Sequence, residues 1–161
     1  MGLKMPVLIP REFLQKMRAQ AERDYPNETC GILIGPKHKK EGVAEIYPCR
    51  NAQDDYHAQD PADFPRTAKT AYFIEPRDLL KIQKEAREKG CEMRVIYHSH
   101  VDAGDYFSEE DQRIALLEGE PAYPGVSYGV ISVMKGKSAG VSLFAWDSKV
   151  RMFIQYSLDP G

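Results

Sequence analysis

Two histidines at the end of an apolar run constrain this chain more than any other feature. Val95 begins a short β-branched and aromatic run that is typical of a strand, and His98 and His100 follow that run directly. Successive side chains of a strand point to opposite faces, so residues two positions apart project to the same side. Two neutral imidazoles on one face make half of a metal site. The fold is therefore expected to bring further ligands to this end of the strand.

The segment that follows predicts where a third ligand lies. Ser108 stands before a helical pattern and Asp111 stands three residues later, which is the spacing of a capping box. The Asp111 carboxylate then belongs to the first helical turn and faces the histidines if the helix packs on the strand. Catalytic zinc sites combine three such protein ligands with an open position for water. The pattern predicts a zinc site of His98, His100 and Asp111, with buried core histidines and a simple helix cap as the alternative interpretation.

A hydrolytic zinc site also needs a group that takes a proton from water and gives it to the leaving group. Glu28 is the candidate for this role, because it stands where a turn feeds a buried strand. A neighbouring strand can place its carboxylate over the metal. The alternative is that Glu28 is a solvated turn residue, since a lone acid before a strand usually is.

Periodicity of the apolar residues predicts a mixed α/β chain. Helical spacing predicts helices over residues 11–25, 76–89 and 108 to about 118. Apolar runs bounded by Gly and Pro predict strands over 28–35, 43–49, 71–75, 91–98, 126–134, 139–146 and 151–158. Residues 50–69 show little periodicity, which predicts a long ordered loop or insertion of the kind that is usually functional or mobile.

Size and composition bound the class of protein. A chain of 161 residues with 42% hydrophobic content is expected to form one domain over 1–161. A net charge of −2 gives no reason to expect nucleic acid or an anionic membrane as a partner. Cys30, Cys49 and Cys91 lack Cys-x-x-Cys spacing and are expected to be reduced thiols. With no signal-peptide pattern and no apolar run near the roughly 20 residues of a membrane span, a cytoplasmic protein is expected.

The spacing of these residues resembles a known motif. His98-Ser99-His100, then seven residues, Ser108, two residues and Asp111 reproduce the motif of the JAMM (MPN+) metalloproteases. The run from Glu28 to Gly35 also resembles the Glu-x-Cys-Gly-hydrophobic-hydrophobic-hydrophobic-Gly strand of bacterial members. The resemblance spans roughly residues 12–146. One departure is Val101, where the family commonly has proline.

The resemblance implies a fold, a cofactor and residue roles. The fold is α/β (α+β), similar to that of cytidine deaminases, with a central mixed, mostly antiparallel sheet flanked by about three helices. One zinc ion per chain would be held by His98, His100 and Asp111. Glu28 would be the general acid and base, and Ser108 would donate a hydrogen bond to the oxyanion of the tetrahedral intermediate.

The resemblance also implies a reaction and a partner. JAMM relatives hydrolyse amide or isopeptide bonds after the C-terminal Gly-Gly of ubiquitin-like proteins, and small stand-alone bacterial members resemble processors of sulfur-carrier proteins. An extended tail would suit a narrow cleft by adding a strand beside a sheet edge, with residues 50–69 as one wall. Many members associate through their helices, which makes a homodimer an alternative to a monomer.

Two other interpretations stay open. A non-catalytic scaffold or interaction domain like the metal-free MPN subunits would lack the complete ligand set that is present here. A zinc hydrolase acting on another peptide or small amide would keep the ligands. A deaminase is a version of the second, but the His-x-Glu and Pro-Cys-x-x-Cys elements of those enzymes are missing.

Overall fold

A six-stranded sheet organises residues 4–159, which the computed structural model describes. Its strands are β1 (Cys30–Pro36), β2 (Glu45–Cys49), β3 (Cys91–Val101), β6 (Ser127–Met134), β7 (Lys137–Asp147) and β8 (Met152–Asp159). A separate two-stranded hairpin joins β4 (Leu116–Leu117) to β5 (Glu120–Pro121). The helices are α1 (Arg11–Asp24), α2 (Gln53–Gln59), α3 (Pro76–Glu88) and α4 (Glu109–Ala115).

The order of the large sheet is β2-β1-β3-β6-β7-β8, and only the β3–β6 pair is parallel. The predicted mixed, mostly antiparallel sheet is confirmed. The described residues form four helices where about three were predicted. None of these helices is long and apolar enough to cross a membrane.

The central strand β3 is buried on both faces because a core cluster packs on each side of the sheet. On one side, Val95 and Tyr97 pack with Met17 of α1. On the other, Ile96 packs with Ile82 of α3. From Val95 onward the even-numbered residues of β3 therefore face the α3 side, and this parity carries both histidines to that side of the sheet.

A close approach across the α1 side fixes the start of β1. Gly31 lies opposite Tyr97, and a Cβ atom at Gly31 would be 2.1 Å from the Tyr97 hydroxyl oxygen. That hydroxyl donates a hydrogen bond to Gln20 Oε1 of α1 at 2.5 Å, and Gln20 Nε2 donates to the carbonyl oxygen of Cys30 at 2.8 Å. The residues that lead into β1, including Glu28, are thereby held against the sheet.

The prediction of a loop over residues 50–69 was wrong in part. Helix α2 occupies seven of these residues, too few to establish a period in the sequence. Its Tyr56 ring packs on Phe64 and Phe73 with centroids 5.1 and 4.6 Å apart. This aromatic cluster orders the segment in place of regular structure.

The predicted strand at 71–75 was also wrong, since only Ile74 forms an isolated bridge, to Asn51. The Asn51 side chain replaces a partner strand there: its Nδ2 donates to the carbonyl oxygen of Ala71, and its Oδ1 accepts from the N–H of Phe73, both at 3.0 Å. The third predicted helix is shorter than expected. It ends at Ala115 because the chain turns extended into β4.

Candidate metal centre and catalytic cleft

Three donor atoms from β3 and α4 converge at one point. His98 Nε2 lies 3.3 Å from His100 Nε2, and Asp111 Oδ2 lies 3.2 Å from His98 Nε2 and 3.0 Å from His100 Nε2. All three side chains are buried. Tetrahedral zinc with bonds of about 2.0–2.1 Å to nitrogen and oxygen would separate its donor atoms by about 3.3 Å. The triangle therefore has the size that such an ion requires.

The protonation of the two imidazoles also fits a cation. His100 Nδ1 lies 2.8 Å from the carbonyl oxygen of Gly104, which can only accept, so Nδ1 carries the hydrogen and a neutral ring presents a lone pair at Nε2. Burial lowers the pKa of His98 and favours its neutral form, although the Asp111 carboxylate opposes this. His98 Nε2 is the ring nitrogen that meets the triangle, whereas Nδ1 is buried without a hydrogen-bond partner. The three converging atoms, His98 Nε2, His100 Nε2 and Asp111 Oδ2, therefore carry at most one hydrogen among them. A bound cation would accept a lone pair from each of the three.

The Asp111 carboxylate remains ionised in this setting. Burial alone would raise its pKa, but the polar contacts of the carboxylate with the His100 and His98 rings outweigh burial and hold the pKa far below its usual range. The Ser108 N–H donates to Asp111 Oδ2 at 3.1 Å. The Asp111 carboxylate is thus held between the two imidazoles and the Ser108 N–H, with a negative charge that suits a cation.

The predicted capping box at the start of α4 is present. Ser108 is the N-cap residue and its Oγ accepts a hydrogen bond from the Asp111 N–H at 3.0 Å. A hydroxyl that accepts in this way keeps its own hydrogen to donate elsewhere. Ser108 is half-buried and lines the same cleft as Glu28, His100 and Asp111.

Strand register brings Glu28 to the histidines. Cys30 pairs with His98 in the antiparallel β1–β3 ladder, and Ser99 and Thr29 continue that pairing through two hydrogen bonds of 2.7 and 3.2 Å. The next step of this register sets Glu28 beside His100, on the same face as both histidines. Ser99 faces the opposite side, where its Oγ accepts the Thr29 N–H and holds the approach to β1.

Glu28 is only 5% exposed. Burial first, and then the negative charge of Asp111, raise its pKa to about 9, while Arg66 opposes the shift. The backbone of Glu28 is fixed as well: its N–H donates to the Ala68 carbonyl oxygen at 2.7 Å, and its own carbonyl accepts from Asn51 Nδ2 at 3.0 Å. Glu28 is therefore a positioned carboxyl group that holds a proton at neutral pH unless a positive charge is nearby.

Two aromatic rings flank the candidate metal-ligand triad, which consists of His98, His100 and Asp111. The Tyr72 ring stacks on His98 with centroids 4.5 Å apart, and the Tyr106 ring lies 4.8 Å from the His100 ring. Tyr106 is 54% exposed at the cleft, whereas Phe107 is buried and stacks on Phe144 in the core. Tyr106 thus forms part of the cleft wall, whereas its neighbour Phe107 packs in the core.

Hydrogen bonds hold the loop after the second histidine in place. Asp102 accepts from the Tyr25 hydroxyl at 2.8 Å and from the Lys135 N–H at 2.7 Å. Asp105 accepts from the Ser142 hydroxyl at 2.6 Å. These contacts with the C-cap residue of α1, with β7 and with the β6–β7 turn fix the loop whose Gly104 carbonyl orients His100.

The three cysteines are free thiols and none belongs to the metal-ligand triad. Burial raises the pKa of Cys49 to about 12 and that of Cys30 further still. A thiol with so high a pKa is a poor nucleophile at neutral pH. Packing is the role that the structure supports for them.

Residues of the 50–72 region form one side of the cleft, as was expected for residues 50–69, although no sequence pattern singled out the individual residues. Arg66, Lys69, Thr70, Ala71 and Tyr72 line the side of the cleft formed by this region. His57 is half-buried, with Nδ1 2.7 Å from the Phe64 carbonyl oxygen, and it lies outside this cleft.

The fold and the His-x-His and aspartate triad define a JAMM-type α/β domain. The family described as prokaryotic homologs of the JAB domain matches residues 10–148. The protein belongs to this family, which confirms the resemblance seen in the sequence.

Two named relatives and two solved structures are similar to this chain over more than half of its length. A CysO-cysteine peptidase of Mycobacterium tuberculosis is 28% identical over 114 residues, which cover 71% of this chain and 68% of the relative. A probable TtuB-protein conjugate cleaving protease of Thermus thermophilus is 30% identical over 92 residues, which cover 57% of this chain and 51% of the relative. A solution structure from Desulfitobacterium hafniense has a TM-score of 0.65 at 24% identity and covers 91% of this chain and 86% of that one. One from Salinibacter ruber has a TM-score of 0.62 at 22% identity and covers 94% and 90%.

Proposed function

We propose that this protein is a zinc-dependent peptidase that hydrolyses the amide bond after the C-terminal Gly-Gly of a sulfur-carrier or other ubiquitin-like protein. The observation that carries the proposal is that a buried carboxyl group, Glu28, lies in the same cleft as His100, Asp111 and Ser108. Both relatives named above are described as enzymes that cleave a peptide or protein conjugate. Their names support amide hydrolysis as the reaction.

His98, His100 and Asp111 would hold the ion through Nε2, Nε2 and Oδ2. A zinc ion bound there supplies a water whose pKa is lowered toward about 7 and polarises the carbonyl of the scissile bond. The triad contributes a net charge of −1 when both imidazoles are neutral, so part of the charge of the ion remains to act on its surroundings. This is the setting in which Glu28 loses its proton, because a positive charge offsets the effect of Asp111 on its pKa.

Glu28 and Ser108 supply the proton transfers and the oxyanion contact. Ionised Glu28 accepts a proton from the attacking water and returns it to the nitrogen of the leaving amine. The Ser108 hydroxyl, whose oxygen already accepts from Asp111 N–H, donates its hydrogen to the carbonyl oxygen as negative charge develops there. Both groups are preorganised, since strand register fixes Glu28 and the capping box fixes Ser108.

The shape of the cleft suits an extended tail with small side chains. Its volume is about 180 Å³, and Tyr72 and Tyr106 narrow it on either side of the histidines. Ala71 and Phe73 bind Asn51, whereas the N–H and C=O of Tyr72 have no hydrogen-bond partner among residues 4–159. An extended tail can pair with such free backbone groups, and glycines allow the closest approach.

The test is cleavage of carrier proteins that bear an extension after Gly-Gly. Zinc-loaded protein is incubated with such carriers, and the products are read by intact mass. The expected product is a carrier that ends at Gly-Gly. Glu28→Gln serves as the control, because it should retain zinc and the fold while losing turnover. If no carrier is shortened by zinc-loaded wild-type protein, the assignment of a Gly-Gly substrate is wrong.

A further inference from the structure

Two cationic side chains stand beside the catalytic groups without a carboxylate partner of their own. Arg66 and Lys69 line the same cleft as Glu28 and Asp111, and both are exposed. Among residues 4–159, neither side chain forms a salt bridge, and the one hydrogen bond that either side chain makes runs from Arg66 Nη1 to the Thr70 carbonyl oxygen at 3.3 Å. Their positive charges are therefore open to a ligand in the cleft.

The carboxyl groups around this pair are committed elsewhere. Arg113 donates to both oxygens of Glu110, at 3.0 and 2.6 Å, and Asp111 belongs to the metal-ligand triad. Glu28 is the proposed acid and base. Arg66 lines one cleft together with Glu28 and Glu110, which places its charge at the reacting end of the cleft.

This charge distinguishes two kinds of leaving group. When the scissile nitrogen is the α-amino group of an amino acid, a carboxylate is attached to the carbon that bears that nitrogen. When the nitrogen is the ε-amino group of a lysine, four uncharged methylene groups follow it. A guanidinium binds a carboxylate through paired, charge-assisted hydrogen bonds, whereas it gains little from methylene groups.

We infer that Arg66 and Lys69 select a leaving group with a free α-carboxylate, so that the protein releases a single amino acid from a Gly-Gly carrier in preference to cleaving an isopeptide bond. The inference rests on the proposed function. In the step, the amide C–N bond breaks, and water supplies the hydroxyl to the carbonyl carbon and a proton to the nitrogen. The products are a carrier with a glycine carboxylate and a free amino acid, and nothing is oxidised or reduced.

The test compares three carriers that differ only after Gly-Gly: one ends in alanine with a free carboxylate, one in alanine amide, and one is joined to the ε-amino group of a lysine peptide. With zinc-loaded protein, kcat/KM for the acid should exceed that for the amide by about tenfold or more, mainly through KM. In Arg66→Gln the ratio of acid to amide should fall toward one. Because Glu28 serves both substrates, the ratio cancels any effect of Arg66 on Glu28.

Two further variants make the assignment specific. Lys69→Gln should lower the same ratio to a smaller extent. Lys84→Gln is the matched control, since it removes one positive charge from the exposed side of α3 and should leave the ratio unchanged. Binding of the acid and the amide to Glu28→Gln, measured by calorimetry, gives the preference without turnover and should show the same order.

The outcomes separate the inference from the proposed function. Equal cleavage of acid and amide by wild-type protein, a preference for the lysine conjugate, or an unchanged ratio in Arg66→Gln each overturns the inference and leaves the proposed function standing. Cleavage of none of the three carriers overturns both.

Discussion

Replacing Glu28 by glutamine should stabilise the metal-free protein at neutral and alkaline pH. The pKa of Glu28 is raised from 4.5 to about 9 in the folded protein, chiefly by burial. A folded-state pKa above the unfolded value gives stability that is fully present below pH 4.5 and is lost as pH rises toward 9. Glutamine has the same shape but does not ionise, so the variant lacks this loss.

The size of the effect follows from the shift. Each pH unit between the two pKa values is worth about 1.4 kcal/mol, so wild-type protein should lose about 4 kcal/mol relative to Glu28→Gln between pH 5 and pH 8. A buried amide that lacks a full set of hydrogen bonds costs about 1–3 kcal/mol at every pH. At pH 8 the net advantage of the variant is therefore expected to be about 1–3 kcal/mol.

The assay is urea unfolding of chelator-treated wild-type protein and Glu28→Gln at several pH values from 5 to 8. The quantity to follow is the difference in free energy of unfolding, which removes the titration of groups that both proteins share. Repeating the series with zinc should shrink the pH dependence of this difference, because a cation at the triad favours ionised Glu28. A difference that does not change with pH in metal-free protein would refute the argument from burial.

Three other substitutions test one member of the triad, Asp111, and two residues that surround the triad, Ser108 and Asn51. Asp111→Ala should lose zinc while staying folded, as elemental analysis and circular dichroism will show; an undiminished zinc content would exclude Asp111 as a ligand. Ser108→Ala removes the cap of α4, which should lower the free energy of unfolding by about 1 kcal/mol. The variant should also lower kcat by about 10²-fold, because the hydroxyl no longer donates to the oxyanion. Unchanged turnover would mean that Ser108 serves only as a helix cap. Asn51→Ala should lose about 2–4 kcal/mol in thermal or urea unfolding, since it leaves the backbone groups of Glu28, Ala71 and Phe73 without their partner; a loss below about 0.5 kcal/mol would show that water replaces the side chain.

Local rules are the reason that the convergence of His98, His100 and Asp111 could be predicted from the sequence. The alternation of a strand places His98 and His100 on one face, and a capping box needs only Ser108 and the residue three positions on. Both rules act over a few residues. The strand and the helix are also joined by a short loop, so the two local predictions meet in one place.

The position of Glu28 depends on long-range pairing that the sequence does not contain. Register between β1 and β3 joins residues about seventy positions apart, and a slip of one residue would turn Glu28 to the other face of the sheet. The resemblance to a family predicts that Glu28 acts as the general acid and base. Its position in the cleft comes from the pairing of β1 with β3. Its raised pKa likewise comes from burial in the folded chain and has no trace in the local sequence.

The sequence predicted a cleft wall over residues 50–69, but the individual residues and contacts of this wall could not be predicted, for a different reason. Asn51 orders this segment through side-chain hydrogen bonds, and Tyr56 anchors it through ring contacts. Neither device produces a period along the chain. Arg66 and Lys69 look like ordinary solvated residues until the fold places them beside the catalytic groups.

The central claim is that the residues of one cleft hold a zinc ion on which hydrolysis depends, and zinc titration of the metal-free protein tests it most directly. Turnover of a Gly-Gly carrier with a C-terminal extension is followed as zinc is added. The account predicts that turnover rises from near zero and stops rising at about one zinc per chain. Full turnover by metal-free protein would contradict it.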